Sequence, residues 1–316
     1  MYLREENYST AIKEARNDLD KIKISGYYGG MDKTHIYFEY YKNTKRKESI
    51  VISHGFCENL LKYTELITYF YNKGYSVYAL EHRGMARSTH LGKDESQVHV
   101  DSFDHYVYDL KRFVDDIVKK EAQGEKLHLY AHSLGGLIGT RYIQMYPEDF
   151  EKVILCSPFF GINMDLPDKF IKICSRVLIQ VGQSKNYTLI HKKYDKFPEF
   201  DEMHTNSRAR YEFNKEIHAQ SSQYRMLGGS YKWIYECIMA SEQVFKKENL
   251  EKIEADVLLI TCGQDTMVDT SVHKKFANLI FNCRTFEIPE SKHEPFFETD
   301  DIIAKFYRMV FDFLDK

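Results

Sequence analysis

Leu127-His128-Leu129-Tyr130-Ala131-His132-Ser133-Leu134-Gly135-Gly136 is the stretch that decides the fold. A short apolar run leads to a serine. A periodic segment then runs from Leu134 to Met145 and stops before Pro147. A buried strand that turns sharply into a helix presents the serine between them at the edge of a sheet. Such a turn needs small residues two before and two after the serine. Here they are Ala131 and Gly135. Ala131 stands where glycine is usual, and its methyl group keeps the turn feasible. Taken alone, the segment also reads as an ordinary strand–helix turn with a serine N-cap.

The neighbouring segments supply the context. Residues 35–41, 49–53, 75–80, 153–156, 256–262 and 284–288 are short β-forming runs. Between them lie helical patterns at 60–72, 134–145, 271–280 and 301–314. A further one begins at Ser102, where Phe103, Val107, Leu110, Val114 and Ile117 form one apolar face. Residues up to about 23 read as irregular or partly helical. From 159 to 245 the pattern is helical, with no clear strand; Leu166, Phe170, Ile173 and Val177 make one stripe. The alternation predicts an α/β fold: a mostly parallel central sheet flanked by helices, built from right-handed βαβ units. The break predicts a helical cap at 159–245, inserted into a core of 1–158 and 246–316. It sits at the carboxyl edge of the strands, where such sheets bind ligands.

Composition removes other classes. The 316 residues carry 44 Lys and Arg against 47 Asp and Glu, a net charge of −3, so no overall basic field points to nucleic acid. With 43% hydrophobic residues the chain supports a packed core. No apolar run reaches the roughly 18 residues of a spanning helix, and the charged start lacks a signal-peptide core. A cytoplasmic protein is expected. The six cysteines are scattered, without zinc spacing, and read as free thiols. No phosphate loop, nucleotide fingerprint or metal cluster stands out, so no cofactor is expected.

A serine needs a base, and the base needs an orienting acid. On this fold both follow the serine in the chain. Asp265 lies just after the run 256–262, with Asp269 as the fallback. His293 lies just after the run 284–288. Ser133, Asp265 and His293 are therefore the candidate catalytic set, with His293 moving the serine proton. The oxyanion of the transition state needs aimed N–H groups. Leu134, next to the serine, and Phe56, in the loop His54-Gly55-Phe56-Cys57, are the candidates.

These segments, with Glu81-His82-Arg83-Gly84, resemble the α/β-hydrolase superfamily. Within it the chain is similar to the lysophospholipase and monoacylglycerol lipase group, from about residue 24 to the end. Ser102–Leu110, Gly228-Gly229-Ser230 and Ser291-Lys292-His293-Glu294 look like its bacterial lysophospholipase L2 branch. The chain departs at Ser230, where a proline is usual, and at Glu81, where an aspartate is. The resemblance implies hydrolysis of single-acyl lipid esters. Phe159, Phe160 and Met164, with Ile162, Leu166 and Phe170, are then candidates to line an acyl pocket. Three alternatives stay open. One is a short-chain esterase. Another is a proline iminopeptidase-like hydrolase with an amine clamp from Glu199, Asp201 or Glu202. The last is a non-catalytic binding protein of this fold. Lys192, Lys193, Lys196, Arg208 and Arg210 offer a transient contact of the cap with a membrane surface at the inner face, among neighbouring carboxylates. Cys57 is a candidate thiol beside the oxyanion loop.

Overall fold

The computed structural model describes residues 2–163, 167–189 and 191–316. The strands are β1 (Ile24–Gly29), β2 (His35–Tyr41), β3 (Glu48–Ser53), β4 (Ser76–Leu80), β5 (Gln97–Val98), β6 (Lys126–His132), β7 (Lys152–Cys156), β8 (Gly228–Gly229), β9 (Asp256–Cys262) and β10 (Cys283–Ile288). The helices are α1 (Tyr8–Asp20), α2 (Thr64–Asn72), α3 (Asp104–Phe113), α4 (Lys119–Ala122), α5 (Leu134–Met145), α6 (Asp168–Gln180), α7 (Arg208–Gln220), α8 (Tyr231–Val244), α9 (Lys247–Leu250), α10 (Ser271–Ala277) and α11 (Asp300–Leu314).

Eight strands form one sheet in the order β1-β2-β4-β3-β6-β7-β9-β10. Only the β1–β2 and β2–β4 pairs are antiparallel; β4 through β10 run parallel. The central strands read as unbroken apolar runs because helices cover both faces. Ile50, Val51, Ile52, Leu129, Tyr130, Val153 and Ile154 are all fully buried. The sheet brings the ends of β3, β6, β9 and β10 to one edge, and each is followed by a predicted site loop.

The predicted runs correspond to strands β2, β3, β4, β6, β7, β9 and β10 within a residue or so. Two differences have local causes. The long helical pattern from Ser102 is α3 and α4 joined by a π-helical turn at Val114–Val118. The segment 159–245 also holds a short strand, β8, which pairs in parallel with β5. Two glycines carry no β signal. They are there because a side chain at Gly228 would meet His191 and one at Gly229 would collide with the Trp233 ring. Among the described residues no helix is long and apolar enough to cross a membrane.

Candidate active site

Ser133 sits in the turn between β6 and α5 with φ +52° and ψ −117°. That backbone region is costly for a residue with a side chain, and it persists only where the surroundings hold it. Here Ser133 N–H donates to Cys156 O (3.0 Å), and Ser133 O accepts from Phe159 N–H (2.9 Å). The glycine two residues on is obligatory. A Cβ at Gly135 would lie 2.5 Å from His54 O and closer still to Ser53 O. On the other side Ala131 is tolerated because Gly139 faces it: a Cβ there would be 3.0 Å from that of Ala131.

Asp265 lies in the loop after β9, and His293 in the loop after β10. His293 Nδ1–H donates to Asp265 Oδ2 at 2.6 Å. This bond leaves the other ring nitrogen, Nε2, as the acceptor. Asp265 Oδ1 accepts the N–H groups of Met267 (2.8 Å) and Val268 (3.2 Å). Burial pushes the Asp265 carboxyl up, but the His293 bond and these amides carry it below its usual value. The fallback acid, Asp269, instead accepts from Ser271 N–H and Oγ at the start of α10. Ser133 and His293 line the same cavity. No hydrogen bond joins Ser133 Oγ to His293 Nε2 in this structure, a contact that is often long before substrate binds.

Phe56 N–H and Leu134 N–H have no acceptor among the described residues. The loop carrying Phe56 is shaped by Glu58, whose Oε2 accepts Gly55 N–H (2.6 Å) and Tyr63 O–H (2.6 Å). Cys57 takes φ +57° within it. Lys62 Nζ donates to Glu58 Oε1 (2.7 Å) and to Glu294 Oε1 (2.6 Å), and all three side chains are buried. Burial would raise the Glu58 carboxyl, but Lys62, His132 and Tyr63 hold it well below the usual carboxylate range. Glu58, His132 and Glu294 have the spacing of metal ligands, but the Lys62 ammonium already holds both carboxylates. This ion-paired cluster ties the oxyanion-side loop to the residue after His293. Sequence reading missed it; its traces are the i, i+4 spacing of Glu58 and Lys62 and the His293-Glu294 step.

Two cavities meet at Ser133 and Phe56. One, of about 300 Å³, is lined by Phe159, Ile162, Trp233, Ile234 and Val268. The Phe56 ring stacks on Trp233 at 4.1 Å between centroids. The other, of about 360 Å³, is lined by polar groups including His132, His204, Asn214 and His218. A larger concavity of about 800 Å³ lies where β6 and β7 begin, at the opposite edge from these loops.

The predicted pocket residues divide. Phe159 and Ile162 line the apolar cavity. Phe160 does not: it is 2% exposed and packs on Phe276 at 4.7 Å, so it is core. Phe170 is 52% exposed. Met164 and Leu166 lie outside the described residues. Trp233 and Ile234, on α8, also line the apolar cavity, a role that helical periodicity alone does not reveal. Of the amine-clamp candidates, Glu202 lines the cavity that holds Ser133 and His293, and Glu199 and Asp201 do not. Arg210, expected on a charged cap surface, is fully buried and pairs with Glu65 at 2.7 Å. Lys192, Lys196 and Arg208 pair with Asp195, Glu199 and Glu212.

A second Ser-His-Asp chain runs through Ser230 Oγ, His99 and Asp101, with contacts of 2.8 and 3.2 Å. It is structural. Ser230 is fully buried and its Oγ accepts Trp233 N–H, capping α8.

Burial pushes His132, His191, His204 and His218 from 6.5 down to about 4. A depressed pKa means the folded state binds fewer protons than the unfolded state between these values. The stability is present above pH 6.5 and is lost as pH falls toward 4. Each histidine contributes at most about 3 kcal/mol. A fall in thermal midpoint between pH 7 and pH 5 is expected, and an unchanged midpoint would contradict it.

The sheet order and the strand–serine–helix turn define an α/β-hydrolase fold. The same fold is found in a carboxyl esterase from Bacillus coagulans (TM-score 0.76, 17% identity, 93% of this chain and 98% of that one). It is also found in a monoglyceride lipase from Saccharomyces cerevisiae (TM-score 0.75, 18% identity, 93% and 94%). The chain belongs to the Hydrolase_4 family, described as serine aminopeptidase, S33, which matches residues 44–300. Among curated relatives, lysophospholipase L2 of Escherichia coli is 26% identical, covering 99% of this chain and 94% of that protein. A probable lysophospholipase L2 of Haemophilus influenzae is 29% identical, covering 85% and 84%.

Proposed function

We propose that the protein hydrolyses carboxylic esters of single-acyl lipids, with Ser133, His293 and Asp265 as its catalytic set. The observation that carries this is the pair of cavities meeting at Ser133, the first lined mainly by apolar side chains and the second bearing the polar groups His132, His204, Asn214 and His218 as well. A single acyl chain fits the first and a headgroup the second. The lysophospholipase names of the relatives that span nearly the whole chain support the same substrate class.

Ser133 Oγ attacks the ester carbonyl and its proton passes to His293 Nε2. Asp265 holds the ring and stabilises the imidazolium. The N–H groups of Phe56 and Leu134 receive the oxyanion. The C–O bond to the alcohol breaks as His293 returns the proton to the leaving oxygen. Water, deprotonated by His293, then attacks the acyl-enzyme and releases the fatty acid. Residues 159–245 act as the cap over this site.

The cap also carries the contact with lipid. Phe170, Ile173, Val177 and Val181, 52–63% exposed, form one outward stripe on and just past α6. Lys169 and Arg176, both exposed, flank it. An apolar helix face with basic flanks suits an anionic lipid surface. Ile173→Glu is expected to reduce co-sedimentation with anionic vesicles, and unaltered binding would remove this role.

The substrate class is tested on a panel of long-chain monoacylglycerol, lysophosphatidylcholine, short and long p-nitrophenyl esters and a proline arylamide. Release of long-chain acid from the lipids is expected. Turnover of short esters alone, or of the arylamide alone, would contradict the reading. The arylamide would then assign Glu202 to a substrate amine.

A further inference from the structure

The backbone around Phe56 does little to fix that residue. Phe56 makes no backbone hydrogen bond among the described residues. Before it, Gly55 N–H is tied to Glu58 Oε2 at 2.6 Å. After it, Cys57 takes a left-handed φ of +57°, a conformation that is costly for a residue with a side chain and persists only where neighbours hold it. The remaining hold on Phe56 is its ring. That ring stacks on Trp233 at 4.1 Å with 23° between the planes, and the His191 ring meets it at 5.6 Å. Both partners lie in the segment 159–245, on the far side of the cavity mouth from the sheet.

Both rings are themselves anchored at β8. Ser230, the residue after it, donates its N–H to Val98 O at 3.1 Å, and its Oγ accepts Trp233 N–H at 3.1 Å. The Ser230 hydroxyl donates in turn to His99 Nδ1 at 2.8 Å. Gly229 N–H donates to His191 Nδ1 at 3.1 Å, and the missing side chain of Gly229 leaves the room that the Trp233 ring fills. Trp233 is buried, with its backbone bonded and its ring wedged against β8, so it has little freedom. A ring stacked face to face on it is held in the same place. Contacts therefore run without a break from Val98 through Ser230 and Trp233 to Phe56, which borders the cavity of Ser133. Position matters here, since a reacting group misplaced by about 1 Å can cost about 100-fold in rate.

We infer that Trp233 is a positioning residue for the reaction as well as a wall of the apolar cavity: its ring sets the Phe56 ring, and through it the N–H that receives the oxyanion. The inference rests on the roles given above to Ser133 and Phe56. It ties the cap to the chemistry itself. Loss of the Trp233 face then slows even a substrate too small to reach the cap.

p-Nitrophenyl acetate separates the two roles, because its acetyl group is too short to use the apolar cavity. Trp233→Leu keeps an apolar side chain and removes the flat face. It is expected to lower kcat on the acetate about tenfold or more, part of what the loss of a whole oxyanion donor costs, with KM changed less. Trp233→Phe should restore most of the rate. Affinity for ethylboronic acid, whose tetrahedral adduct with Ser133 puts an oxygen where the oxyanion forms, should fall in step with kcat. Phe56→Leu repeats the test from the other partner should Trp233→Leu not fold: the N–H stays, the stack is lost, and the same loss is expected. The double variant should be no slower than the worse single one, because both break one contact. An acetate kcat within about twofold of the wild type in Trp233→Leu, with losses confined to long-chain esters, would leave Trp233 a cavity wall and overturn the inference. So would an unchanged boronate affinity, or losses that multiply in the double variant. None of these readouts uses lipid, so refusal of every lipid by the wild type would sink the lipid reading alone. Retained turnover in Ser133→Ala, run alongside, would sink the catalytic set.

Discussion

Ser133→Ala is expected to lower kcat on every ester substrate by roughly 10⁶-fold, leaving only what the oxyanion donors and binding supply. The geometry gives the reason. The turn between β6 and α5 holds one hydroxyl at the edge of the sheet, and its φ of +52° is fixed by bonds from neighbouring strand ends. His293 Nδ1 is occupied by Asp265, which leaves its other nitrogen as the one able to act as a base toward the cavity that Ser133 shares. Asp265→Asn should cost about 10⁴-fold, because an amide no longer selects the tautomer. Steady-state hydrolysis of p-nitrophenyl butyrate measures both. A Ser133→Ala rate within about 100-fold of the wild type would remove Ser133 from the chemistry, since an unaided site keeps far less.

Lys62→Met carries the second large effect, on stability. The ammonium holds two carboxylates, and all three groups are 4–6% exposed. Removing one partner of a buried ion pair costs about 3–5 kcal/mol, because the remaining charge stays buried and unpaired. For a chain of this size the thermal midpoint should fall by roughly 5–15 °C. The pH dependence of the variant should invert. With Lys62 present the Glu58 carboxyl is depressed, so its stabilisation holds at neutral pH and is lost as pH falls. With Lys62 gone, burial raises the Glu58 carboxyl above its unfolded value. The folded variant then binds more protons and gains stability as pH falls, so its deficit narrows toward pH 5. Activity should fall too, since Glu58 holds Gly55 N–H and Glu294 adjoins His293. A midpoint equal to the wild type at pH 7 would contradict this.

Much of the fold was legible because parallel strands buried on both faces are written as short apolar runs. Residues 49–53 and 153–156 could be read directly. β8 could not, since two glycines that clear His191 and Trp233 leave no pattern. Chain order and strand ends were enough to single out Asp265 and His293, which the structure brings to 2.6 Å. Their choice over Asp269 depends on which carboxylate the helix start of α10 consumes, a three-dimensional fact. The pocket was less legible. Phe159 and Phe160 are adjacent, yet one lines the cavity and the other packs on Phe276, because neighbours in an irregular segment point to different sides. Periodicity identified the α6 stripe as apolar but could not say whether it faces the core. It faces out, at 52–59% exposure for Phe170, Ile173 and Val177. Arg210 misled for the opposite reason: a cation in a charged stretch is read as solvated, and only the fold places Glu65 against it.

The central claim is that Ser133 is an activated nucleophile in a site built for one acyl chain. Labelling by a long-alkyl fluorophosphonate, mapped by peptide mass and repeated with monoacylglycerol or lysophosphatidylcholine present, tests it most directly. One modified residue, Ser133, is expected, with slower labelling when either lipid is present. Labelling elsewhere, or labelling of Ser133 that neither lipid slows, would contradict it.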